Sequence, residues 1–114
     1  MRHHGRVDEA ERLRDVSRLW EEHRRAVFPA DVRGAEPAGI DLVLLDATVA
    51  GCVSGWLDGG GGLDAERGHI LRDAVTDLDR VLPEITGADG SRYFRHLRRP
   101  AALVSAASPG AAVG

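Results

Sequence analysis

Apolar residues recur at helical spacing in four stretches of the chain, with polar and glycine- or proline-rich punctuation between them. In the first, residues 7–27, Leu13, Val16, Trp20 and Val27 share one side, and His23 takes a position in that seam. Asp8, Glu9 and Glu11 near its start and Arg24 and Arg25 near its end match the helix dipole, and Phe28-Pro29 ends it. Gly34 and Pro37 mark the loop that follows. The second stretch, 39–57, is apolar around most of its circumference and runs into Asp58 and four consecutive glycines. The third, 64–82, carries the cleanest stripe: Ile70, Leu71, Ala74, Val75, Leu78 and Leu82. Asp64 stands at its N-cap position and Pro83 at its end. The fourth, 91–104, aligns Tyr93, Phe94, Leu97, Ala101 and Val104, with Pro100 placed to bend or restart the helix.

Four helices with short connections predict an all-α protein, an antiparallel four-helix bundle. The expected single domain spans residues 1–104, and the Ala, Ser, Pro and Gly of residues 105–114 read as a flexible tail. The second stretch is the ambiguous one. Ile40 to Asp46 also fits a buried parallel strand ending in an acid, as in phosphatase-like α/β folds. Such a site needs a second acid two residues on, where Thr48 stands, and such a sheet needs further strands that the chain does not offer. Helix is therefore the expectation.

Composition agrees with helices: alanine is the commonest residue, leucine and valine make up most of the larger apolar side chains, and aromatics are only 4%. All 15 basic residues are arginine, and lysine, asparagine and glutamine are absent. This is the signature of a GC-rich genome, so arginine content by itself is no argument for phosphate binding. The net charge is −3, unevenly spread. Residues 40–66 carry five acids and no base, whereas residues 91–114 carry four arginines and no acid. A chain with this balance is not expected to bind nucleic acid.

The lone Cys52 lies in an apolar run and points to a reducing compartment, the cytoplasm. Residues 40–57 are close to the ~17–25 residues of a membrane span, but Asp41 and Asp46 fall within them. An acid at mid-span costs ~2.5–3.5 kcal/mol, so no membrane insertion is expected. The charged opening Met-Arg-His-His-Gly-Arg has no apolar stretch behind it, so no signal peptide is expected.

Asp46 is the most informative polar residue, falling among Leu42, Val49, Ala50, Val53 and Leu57 on the helical wheel. A buried carboxylate needs a cation or a proton, and His23 or Arg95 could supply the cation. It serves either as an ion pair fixing helix register or as the polar anchor of an interior ligand site formed with His23 and Trp56. Asp41, Thr48, Gly51 and Gly55 lie on another arc of the same helix. The two glycines permit a close crossing, within the chain or across a homodimer seam. Arg95 and Arg99, with Arg92, share one side of the last helix and could meet the acidic 41–66 region of a second copy.

Glu66 and His69 have the Glu-x-x-His spacing of di-iron bundles, but no second such pair exists and both sit opposite the apolar stripe. No metal, cofactor or catalytic residue is expected, and no serine or cysteine has a nucleophile motif around it. The expected function is a non-catalytic protein–protein interaction or regulatory module, binding another protein or itself. The alternative is a small-ligand-binding or enzymatic bundle with an interior site around Asp46.

Overall fold

The computed structural model describes residues 3–108, with side chains from Asp8 onward. Four helices form it: α1 (His3–Arg24), α2 (Leu42–Asp58), α3 (Ala65–Val81) and α4 (Ala88–Ala107). Single 3-10 turns occupy Ala30–Val32, Pro37–Gly39 and Leu82–Glu84, and no strand occurs among the described residues. The segment that also fitted a strand is helical from Leu42.

The helix starts follow from local chemistry. Asp41 caps α2 by accepting from the Leu44 amide at 3.1 Å, and Asp64 caps α3 by accepting from the Arg67 amide at 2.8 Å. At the end of α2, the Gly61 amide returns to the Trp56 carbonyl at 2.8 Å. Gly60 and Gly61 take φ of 69° and 103° to make that return, a conformation that side-chain-bearing residues resist.

Several helix boundaries differ from the sequence expectation, most of all the end of α1 and both ends of α4. Helix α1 stops at Arg24, because the chain turns at Arg25 and Ala26 and then seats Phe28 against Tyr93 and Phe94. Val27 therefore leaves the helical seam and is 85% exposed. Helix α4 starts at Ala88 and runs through the buried Pro100 to Ala107, so residues 105–107 belong to the helix rather than to a tail. Alanine favours that extension, and Ser108, buried, closes it by donating to the Val104 carbonyl at 3.0 Å. The tail expected for the rest, residues 109–114, lies outside the described residues.

The start of α4 is capped from a distance. Its own N-cap, Gly87, offers no side chain, and the Gly90 amide instead donates to Asp31 Oδ2 at 3.3 Å. A Cβ at Gly90 would lie 2.5 Å from Val32 Cγ1, so the 30–32 turn can rest on α4 only because that residue is glycine.

The core draws on all four helices through Val16, Leu42, Val49, Val53, Leu71, Leu78, Phe94, Leu97 and Val104, none more than 1% exposed. Helix α4 packs against α1, α3 and α2, and α2 packs against α3, whereas α1 and α3 barely meet. Helices α2 and α4 thus bury stripes against each other across the middle, with α1 and α3 on either side. Each exposes the stripe opposite its buried one. The exposed residues of α2 include Val43, Leu44, Ala47 and Gly51, and those of α4 include Arg92, Arg95 and Arg99. No described helix is long and apolar enough to cross a membrane.

Candidate functional site

Two regions hold the residues singled out in the sequence. The first is the outer face of α2 and α3. Here Leu44 is 64% and Ile70 40% exposed, and both line a shallow groove of about 240 Å³ with Ile40 and Thr48. Three carboxylates border it: Asp41, Asp73 and Asp77. Asp41 is also the α2 cap, Asp73 lies 3.5 Å from His69, and Asp77 lies 3.6 Å from Arg80. The groove thus combines an apolar floor with an acidic rim.

Within the chain, the glycine pair does not make the close helix crossing that its spacing allows. Gly51 is exposed, and a Cβ there would meet nothing within 4 Å. Gly55 is approached by side chains only, Arg67 Nη1 at 3.2 Å and Leu63 Cδ2 at 3.8 Å from its would-be Cβ. Arg95 and Arg99 are exposed on α4 and make no ion pair among the described residues. Their neighbour Arg98 does, gripping Asp79 of α3 through Nε at 2.6 Å and Nη2 at 3.3 Å.

The second region lies where the end of α1 meets α2 and α4. Asp46 sits half-buried on α2, and Tyr93 of α4 donates its phenol proton to Asp46 Oδ1 at 2.9 Å. His23, only 5% exposed, brings its Nε2 to 4.0 Å from the same oxygen. That separation is too long for a hydrogen bond. Neither ring nitrogen of His23 has a partner among the described residues. The imidazole is held instead by aromatic faces, stacked on Trp20 with centroids 5.6 Å apart and tilted against Tyr93 at 4.5 Å.

Electrostatics follow from burial. Desolvation lowers the His23 pKa below 6.5, and His96 nearby lowers it further, so the ring is neutral near pH 7. Desolvation raises the Asp46 pKa above 3.8, opposed by the Tyr93 hydrogen bond. Burial first, then the Asp46 charge and hydrogen bond, push the Tyr93 phenol well above its ordinary value. His23 and Asp46 are therefore neighbours but not an ion pair. Arg95, the other cation considered for Asp46, makes no contact with it, being on the outward side of α4.

Trp56 belongs elsewhere. It lies ten residues along α2 from Asp46, ~15 Å at the helical rise, where its ring packs by Gly61 and Leu13. Its indole Nε1 is buried without a partner among the described residues. The group sequence reasoning missed is Tyr93, whose place in the apolar stripe of α4 was the available signal. Cys52 is buried and free, its thiol pushed up by desolvation and within 3.8 Å of the Arg67 carbonyl. Glu66 and His69 are exposed, and among the described residues no three His, Cys, Asp or Glu side chains gather as metal ligands.

No protein-family model, curated protein or solved structure matches this chain.

Proposed function

We propose that the chain is a non-catalytic interaction module whose α2–α3 groove docks a cationic, amphipathic helix of a partner protein. The observation that carries this is the coincidence of two large exposed side chains, Leu44 at 64% and Ile70 at 40%, in one groove bordered by three carboxylates. Exposed apolar residues scattered singly are ordinary, but contiguous ones with a charged rim mark interaction surfaces. A helix laid in the groove would cover Leu44 and Ile70 with its apolar face and set lysines or arginines against Asp41, Asp73 and Asp77.

A second copy fits this groove less well. Two grooves face to face would oppose carboxylates. The α4 arginines line no part of the groove, so a second copy would have to bring a different face to it, a heterologous contact. Cys52, free and buried, supports a cytoplasmic setting.

The test uses a fluorescently labelled helical peptide of leucine and lysine, followed by anisotropy. Saturable one-to-one binding is expected, weakening with salt. Leu44→Asp with Ile70→Asp should reduce affinity by about tenfold or more, and a peptide with glutamate for lysine should not bind. Unchanged binding by the double variant refutes the docking site. Native mass spectra showing a ladder of self-assembled species without peptide would identify a second copy as the occupant.

A further inference from the structure

After α1 ends at Arg24, the chain folds back across the start of α4, and the return leaves a groove of about 690 Å³ between residues 22–33 and 89–96. This is the size of a small-molecule site, ~300–1,000 Å³. It lies at the end of α1, remote from the α2–α3 face. His23 and Tyr93 contribute to its lining, and the Phe28 ring stands edge-on to Tyr93 with centroids 5.4 Å apart. Val27, 85% exposed, adds a large apolar side chain to the lining.

The charges around the groove do not balance. Arg25, Arg33 and Arg92 line it against Glu22 and Asp89. Asp89 is held by Arg92 at 3.1 Å, and Glu22 lies 3.7 Å from Arg18. Arg25 and Arg33 make no ion pair among the described residues. The Arg33 guanidinium instead stands 5.9 Å from the centre of the Phe28 ring, a cation beside an aromatic surface. Also in the lining is His23, a 5% exposed polar side chain whose two ring nitrogens find no partner among the described residues. Aromatic walls, uncompensated guanidinium groups and a buried polar group with spare bonding capacity are the usual composition of a ligand site.

We propose that this groove binds a small aromatic anion. Its ring would lie against Phe28, Val27 and Tyr93, and its carboxylate would be met by Arg25 and Arg33, whose planar forks match carboxylate geometry. The site is independent of the α2–α3 docking face and stands or falls separately from it.

The experiment titrates the full chain with 2-naphthoate and records amide chemical shifts. Saturable shifts confined to residues 22–33 and 89–96 are expected. Two controls divide the chemistry: 2-naphthamide, which has the ring without the charge, and inorganic phosphate, which has charge without a ring. Both should bind at least about tenfold more weakly, the factor that ~1.4 kcal/mol of lost interaction represents. Arg25→Ala with Arg33→Ala should abolish saturation, while Leu44→Asp on the other face should bind as the wild type does. The amide spectrum of each variant reports directly that it is folded. No localised shifts with 2-naphthoate, or equal binding by the amide or by phosphate, would overturn the proposal.

Discussion

The Asp46 carboxylate is held by a neutral phenol, with its pKa raised by burial and lowered by the Tyr93 hydrogen bond. Removing that donor leaves a half-buried acceptor unmet. Tyr93→Phe should therefore cost ~1–3 kcal/mol of stability and raise the Asp46 pKa further. Thermal denaturation and an NMR titration of the Asp46 carboxyl measure the two effects. Adding Asp46→Leu to Tyr93→Phe should recover most of the loss, because the pair is then replaced by apolar surface. A Tyr93→Phe protein that melts like the wild type would mean that the bond contributes nothing net. Asp46 and His23 show what a helical wheel can and cannot tell. The wheel places Asp46 on the apolar arc of α2 and His23 in the seam of α1, and the fold does bring them within 4.0 Å. Whether that proximity becomes an ion pair depends on desolvation and on which α4 residue is rotated toward them, which no single helix encodes.

Helix boundaries divide in the same way, between those written locally and those set by tertiary contact. Asp64 as a cap and the stripe of α3 are local features, and the observed Ala65–Val81 follows the sequence reading closely. The stop of α1 is not local. His23, Arg24, Arg25 and Ala26 all tolerate a helix, and the chain leaves it because Phe28 is seated on Tyr93 and Phe94. The start of α4 is likewise hidden, since Gly87 offers no capping side chain and the acceptor comes from Asp31 on another segment. Two glycines separate these cases experimentally. Gly51→Ala meets nothing within 4 Å and should stabilise α2 by ~1 kcal/mol through helix propensity. Gly90→Ala would press its Cβ on Val32 Cγ1 at 2.5 Å and should cost ~1–3 kcal/mol. Urea denaturation of both variants checks the pair, and a stabilised Gly90→Ala would mean that the 30–32 turn does not rest on α4 as described.

For the molecule as a whole, the buried histidine makes a contribution of definite sign to the way stability responds to acid. His23 faces Asp46 of α2 and Tyr93 and His96 of α4, and its folded pKa lies below 6.5. As pH falls below 6.5 the unfolded chain takes a proton that the folded chain refuses, so this group lowers stability progressively until its folded pKa is passed. Asp46, with a folded pKa above 3.8, has the opposite sign: it favours the fold as pH drops through that pKa. His23→Phe keeps an aromatic ring beside Trp20 and removes the proton site. Its melting temperature should vary less than that of the wild type between pH 6.5 and about 5, and an unchanged acid slope would place the titrating group elsewhere.

The clasp between Asp31 and Gly90 joins positions 59 residues apart and gives the first amides of α4 an unusual dependence. Hydrogen exchange at a helix start ordinarily reports fraying of that helix. Here the Gly90 N–H is shielded by a carboxylate on a different segment, so deuterium can reach it when the 30–32 turn lifts while α4 itself stays wound. Its exchange rate therefore times the opening of the turn, on which one wall of the 690 Å³ groove is built. An occupant wedged between that turn and α4 would slow this one amide before it affected the rest of the helix.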